Sequence, residues 1–140
     1  MIKKAVSLVI YDSLKEKVLA VMRGSEDKYL PNTWSLPSGY VDEEESLESA
    51  VIRAASQKLG VEVRPVKVLG SGSVDRTGGT LQMTLYEVEI MLGTPMVPQP
   101  IPDVTQYDFC EMVLPKQLED AAKKEVLSCV LYLKNIGYNF

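Results

Sequence analysis

The stretch Gly39–Val61, GYVDEEESLESAVIRAASQKLGV, decides the fold of this chain. It opens on a glycine, passes through an acidic run, continues as an amphipathic segment and closes on Gly60. Leu47, Val51, Ala55 and Leu59 recur every fourth residue, with Ala50 and Ala54 beside them, which puts these side chains on one face of a helix. Asp42 and Glu45 have the spacing of a capping box, and the acids from Asp42 to Glu45 suit the positive end of a helix. Gly60 is a natural stop, because glycine adopts the left-handed conformation without steric cost. The stretch therefore reads as loop, helix, loop.

Upstream, Ala5–Tyr11 and Lys17–Met22 are β-rich runs separated by a polar turn, predicted as strands of one sheet. Gly24–Thr33 is a polar loop, and Trp34, the sole tryptophan, leads into the central stretch. Trp34 serves either as a platform beside a base-stacking site or as an apolar anchor for the loop. Downstream, Glu62–Val74 alternates as a strand, with Pro65 marking its first turn or a sheet edge. A turn at Asp75–Gly79 leads to a long strand, Thr80–Met91, predicted to pair antiparallel with it. Gly78-Gly79 lacks the spacing and the following Lys-Ser/Thr of a phosphate loop. Gly93–Asp103 carries four prolines and reads as an extended loop: a plain linker, or a border of a ligand cleft or dimer interface. Asp108–Leu114 is a last short strand. A helix is then predicted from Pro115 to about Asn135, with Leu118, Ala122, Val126, Cys129, Val130 and Leu133 on its apolar face and Gly137 beyond it.

The length, 140 residues, predicts a single domain over 1–140, and 46% apolar content is that of a globular chain. Composition and element order give an α/β fold. A net charge of −4 argues against a nucleic-acid polymer or a membrane surface as partner, and leaves room for a small phosphate-containing ligand held by a few local cations. The absence of histidine removes imidazole bases and His-metal sites. Cys110 and Cys129 lack metal-site spacing and read as buried thiols of a reducing compartment. The apolar run after Lys4 is short and predicts a strand rather than a targeting segment, so a cytoplasmic location is expected.

The central stretch resembles the signature box of the Nudix hydrolases: Gly, five residues, Glu, seven residues, Arg-Glu-apolar-any-Glu-Glu-any-Gly-apolar. Gly39, Glu45, Arg53, Ala55, Gly60 and Val61 match it in register, and Trp34-Ser35-Leu36-Pro37-Ser38-Gly39 is similar to the family's approach to the box. The resemblance implies a Nudix-like α/β/α sandwich, a mixed sheet flanked by helices. It implies hydrolysis of nucleoside diphosphate-linked compounds with Mg²⁺ or Mn²⁺, and dimers are common in the family. It also implies that Arg23, at the end of a strand, faces the substrate, that Glu45 and Arg53 support the box loop, and that Gly39 and Gly60 shape its two ends.

The departures lie at the chemical positions. Where the family has three metal-holding carboxylates, this chain has Ala54, Gln57 and Lys58. Mg²⁺ takes oxygen ligands, chiefly carboxylates. Alanine supplies none, Gln57 only a neutral carbonyl, and Lys58 a competing cation. No metal ligand is assigned, and standard metal-dependent hydrolysis is expected to be weak or absent. Two readings of Lys58 stand: a solvated side chain left by a decayed metal site, or a point charge that neutralises a diphosphate directly. An active enzyme would need Glu43, Glu44, Glu45, Glu48 or a later acid such as Glu87, Glu89 or Glu111 as substitute ligand. The alternative is a non-catalytic nucleotide-binding or protein-interaction module on a Nudix fold.

Overall fold

The computed structural model describes residues 1–25, 27, 30–98 and 107–139. In chain order the elements are β1 (Ile2–Val9), β2 (Val18–Arg23), β3 (Trp34–Ser35), β4 (Ser38–Tyr40), α1 (Leu47–Leu59), β5 (Glu62–Arg76), β6 (Gly79–Leu92), β7 (Tyr107–Val113), a 3-10 turn at Pro115–Leu118, α2 (Glu119–Lys123) and α3 (Leu127–Asn135). One sheet has the order β4-β1-β6-β5 and is mixed, because β1 runs parallel to β6 and antiparallel to β4. The other, β3-β2-β7, is antiparallel. Helices cover both faces, which makes the α/β/α arrangement expected of the sequence.

Alternation along β1 builds the layers. Val6, Leu8 and Ile10 enter the core shared with Val51, Ala55 and Leu59 of α1, whereas Val9 enters the core under Leu118, Ala122, Cys129 and Leu133. The β5–β6 hairpin forms as predicted, with Asp75 opposite Thr80 and Arg76 opposite Gly79, and Pro65 lies on the edge strand. Segment 34–40 crosses from one sheet to the other: Trp34 pairs with Met22 of β2, and Gly39 pairs with Val6 of β1.

The details differ from the sequence reading in several places. β1 and β2 belong to different sheets, and their ends meet at the Tyr11–Val18 bridge, flanked by the Leu19 N–H to Ile10 carbonyl and Asp12 N–H to Lys17 carbonyl bonds. The chain reverses at Asp12, whose carboxylate accepts the amides of Glu16 and Lys17, and β2 then leaves to pair with β3 and β7. Helix α1 is capped by Ser46, which accepts the Ser49 amide, not by Asp42. The Glu45 carboxylate does reach back to the Asp42 amide, but there it closes a turn ahead of the helix.

The helix predicted from Pro115 to Asn135 is broken. Glu125 takes a φ of 65° and Val126 is extended. The break falls in the exposed, charged run Lys123–Glu125, where no apolar contact holds the helix, and both halves keep their stripe on the core. Cys129 is buried, its thiol pushed up to about 12 by desolvation, while Cys110 is only half-buried. Residues 99–103 of the proline-rich loop lie outside the described residues. The loop's start is fastened to α1, with the Met96 amide on the Leu59 carbonyl. Among the described residues, no helix is long and apolar enough to cross a membrane.

Candidate functional site

The acidic loop and α1 are tied together by one guanidinium. Arg53 donates from Nε and Nη2 to the two oxygens of Glu45, at 2.9 and 2.8 Å, in a bidentate pair. Its Nη2 also reaches the Tyr40 carbonyl at 2.6 Å, its Nη1 reaches Gln57 Oε1 at 3.3 Å, and Asp42 lies 3.7 Å away. The hydrogen bonds from Arg53, and then from the Asp42 amide, hold the Glu45 carboxyl down at about 2, and the same pair raises the Arg53 guanidinium. Glu45 and Arg53 are therefore engaged with each other and with the loop backbone. Gly60 stops α1, as its place in the sequence predicts, and Gly39 lies against the same helix. A Cβ on Gly39 would sit 3.0 Å from that of Ala54, and Gly60 caps α1 with a φ of 67°.

A cavity of about 290 Å³ opens beside this loop, between the two sheets. Gly39 and Tyr40 of β4, Arg23 of β2, Lys58 of α1, Tyr107 of β7, Arg76 of β5, Leu81 and Met83 of β6 and the first turn of α3 line it. Arg23 and Lys58, placed far apart by the sequence, thus share one wall system. Arg23 pairs with Asp27 at 3.3 Å, and its Nε is buried without a hydrogen-bond partner among the described residues. The backbone slips register between Met22 and Arg23, a bulge that re-aims the arginine at the sheet end. The Lys58 ammonium lies 5.3 Å from the centroid of the Tyr107 ring. Burial, then Arg23 and Arg53, pull its pKa down. The Tyr107 hydroxyl is fixed by the Ser38 backbone, accepting its amide at 3.2 Å, and burial raises its pKa.

Arg76 and Tyr107 were not singled out in the sequence. Arg76 was read as part of a turn, and only the register of β5 on β6, with β6 beside β1, carries it to the cleft. Trp34 does not line the cavity. It packs edge-on against Phe109, ring centroids 5.8 Å apart, in the position of an anchor.

The three box positions do not fit a divalent cation. Ala54 is 1% exposed and offers no oxygen. The Gln57 carbonyl already accepts from Arg53, and Lys58 brings a positive charge. The other acids are dispersed: Glu87 pairs with Lys15, Glu89 with Arg64, and Glu43, Glu44, Glu48 and Glu111 are exposed. Among the described residues, no three Cys, Asp or Glu side chains stand close enough to hold a metal.

Comparison with known proteins agrees with the architecture. The family description "NUDIX domain" matches residues 1–128. A MutT protein from Methanosarcina mazei Go1 superposes with a TM-score of 0.73 at 15% identity, over 96% of this chain and 95% of that one. A MutT NUDIX hydrolase from Burkholderia pseudomallei gives 0.71 at 20% identity, over 91% and 98%. An ADP-ribose pyrophosphatase from Streptococcus suis gives 0.62 at 16% identity, over 99% and 94%. Identities this low establish a common fold and leave substrate open.

Proposed function

The chain belongs to the Nudix family, and from that premise we propose that its cleft binds a small phosphate-containing ligand while ordinary metal-dependent hydrolysis is weak or absent. The family as a whole uses divalent metal, and solved relatives of the same fold are named as hydrolases. One observation carries the departure: at the positions where the family places its metal-holding carboxylates, this chain presents a buried methyl, an amide already bonded to Arg53, and an ammonium ion. Mg²⁺ needs oxygens in near-octahedral array, and this helix face supplies neither the oxygens nor the negative charge. Binding is supported by what remains. The box loop is held in shape by Arg53, and the cavity beside it carries Arg23 and Lys58.

The test is a panel of nucleoside triphosphates, ADP-ribose, nucleotide sugars and dinucleotides, assayed for turnover with Mg²⁺ and Mn²⁺ and for binding by thermal shift. The triple variant Ala54→Glu/Gln57→Glu/Lys58→Glu runs alongside. Binding without turnover in the natural protein is the expected result. Turnover by the natural protein at the level of an ordinary hydrolase would overturn the catalytic half of the proposal. Failure of every compound to bind would overturn the other half.

A further inference from the structure

We propose that Lys58, Arg23 and Arg76 hold a doubly charged phosphoryl group of the ligand directly, in place of the divalent cation, so that binding needs no metal. The inference rests on the phosphate-binding reading above and adds the means.

The described charged residues that line the cavity are Arg23, Lys58, Arg76 and Asp27, three cations against one acid, in a chain whose net charge is −4. The acid is taken up by Arg23. Neither Lys58 nor Arg76 forms an ion pair with a described residue, and Lys58 is half-buried with an aromatic face as neighbour. The cavity therefore carries a local excess of two positive charges, the complement of a phosphoryl dianion.

Solvation alone does not account for the arrangement. A lysine on an exposed helix face extends into water at no electrostatic cost. Lys58 instead lies inward, where burial disfavours its charge and Arg23 and then Arg53 repel it. Of these groups Lys58 and Arg23 line the cavity, and a dianion between the two offsets their mutual repulsion. The chemistry of the donors suits the task. An ammonium is a compact point charge, as a metal ion is, whereas a guanidinium supplies directed pairs of N–H groups. The buried Nε of Arg23 has no hydrogen-bond partner among the described residues and is a donor open to a ligand. Leu81, Met83 and Leu127 close the cavity with apolar surface, which lowers the local dielectric and strengthens each cation–phosphate contact.

The experiment is calorimetric titration with inorganic pyrophosphate, and with ADP, in EDTA and then in excess Mg²⁺. The proteins are wild type, Lys58→Met, Arg76→Gln and, as control, the exposed Lys134→Met. Circular dichroism confirms that each is folded. Wild type binds in EDTA with the affinity it shows in Mg²⁺. Lys58→Met loses about tenfold or more, the scale of one charge-assisted hydrogen bond. Arg76→Gln loses severalfold and Lys134→Met nothing. Binding in EDTA that Lys58→Met leaves intact overturns this inference and spares the phosphate-binding reading. Binding only in Mg²⁺ does the same. No binding of either probe under either condition overturns this inference, and the phosphate-binding reading falls with it only when every compound of the wider panel also fails to bind.

Discussion

Lys58 of α1 and Tyr107 of β7 meet across the cleft, with the ammonium nitrogen 5.3 Å from the ring centroid. The aromatic face offsets part of the cost of burying the charge, by about 0.5–1 kcal/mol. Burial, then the charges of Arg23 and Arg53, act the other way and lower the lysine pKa. Replacing Lys58 by Met keeps a side chain on the ring and removes the charge. The ligand-free variant is expected to melt about 2–5 °C higher than wild type at neutral pH. The pH dependence has a definite sign. With a folded pKa below the ordinary 10.5, both folded and unfolded chains hold the proton at pH below the folded value, and there the penalty is fully present. As pH rises through the folded value the native state releases its proton first, so the wild-type deficit shrinks toward pH 10.5. Melting curves of the two proteins at neutral and alkaline pH check this, and a constant difference would contradict it.

The Glu45–Arg53 pair titrates in the opposite region. The Glu45 carboxyl is held at about 2 against an ordinary 4.5. Its contribution to stability is present above the ordinary value and is lost as pH falls from 4.5 toward 2. Urea denaturation between pH 5 and pH 2.5 is expected to show this loss in wild type and a reduced slope in Glu45→Gln. Arg53→Ala, which also releases the Tyr40 carbonyl, is expected to cost about 1–2 kcal/mol.

Restoring the family carboxylates makes the protein depend on metal. Ala54 is buried, so Ala54→Glu places a carboxylate where only a cation would compensate it. The variant Ala54→Glu/Gln57→Glu/Lys58→Glu is expected to melt below wild type in EDTA and to recover on addition of Mn²⁺. Wild type is expected to be indifferent to both. Equal stabilisation of the two proteins by Mn²⁺ would mean that this chain holds metal through other residues.

Gly39 and Ala54 meet where the box loop lies on α1. A Cβ on Gly39 would stand 3.0 Å from the Ala54 methyl, closer than ordinary contact. Gly39→Ala is expected to cost about 1–3 kcal/mol through this overpacking. Gly39→Ala/Ala54→Gly should recover most of it. The double-mutant cycle measured by urea denaturation isolates the contact.

Most of the architecture could be read from local pattern. The four-residue recurrence of Leu47, Val51, Ala55 and Leu59 marked α1, and alternation with a glycine turn marked the β5–β6 hairpin. What escaped was non-local. Nothing near Tyr11 or Val18 says that β1 and β2 part into separate sheets, because that depends on which distant strands each one pairs. The long C-terminal helix kept its apolar stripe through the break at Glu125, so periodicity alone ran across it. Spacing within the box exposed the substitutions at 54, 57 and 58. Arg76 could not be assigned to the cleft, because its approach depends on the registers of β5, β6 and β1 together.

The clamp around Arg53 has a kinetic consequence. Its hydrogen bonds join Tyr40, Glu45 and Gln57 before any ligand arrives, so this rim of the cleft has little left to order. A site fixed in advance avoids the entropy of closing a loop on its guest. For the phosphate-containing ligand proposed above, encounter is expected to proceed without a slow rearrangement of the loop, with differences in affinity among ligands carried by how long each one stays.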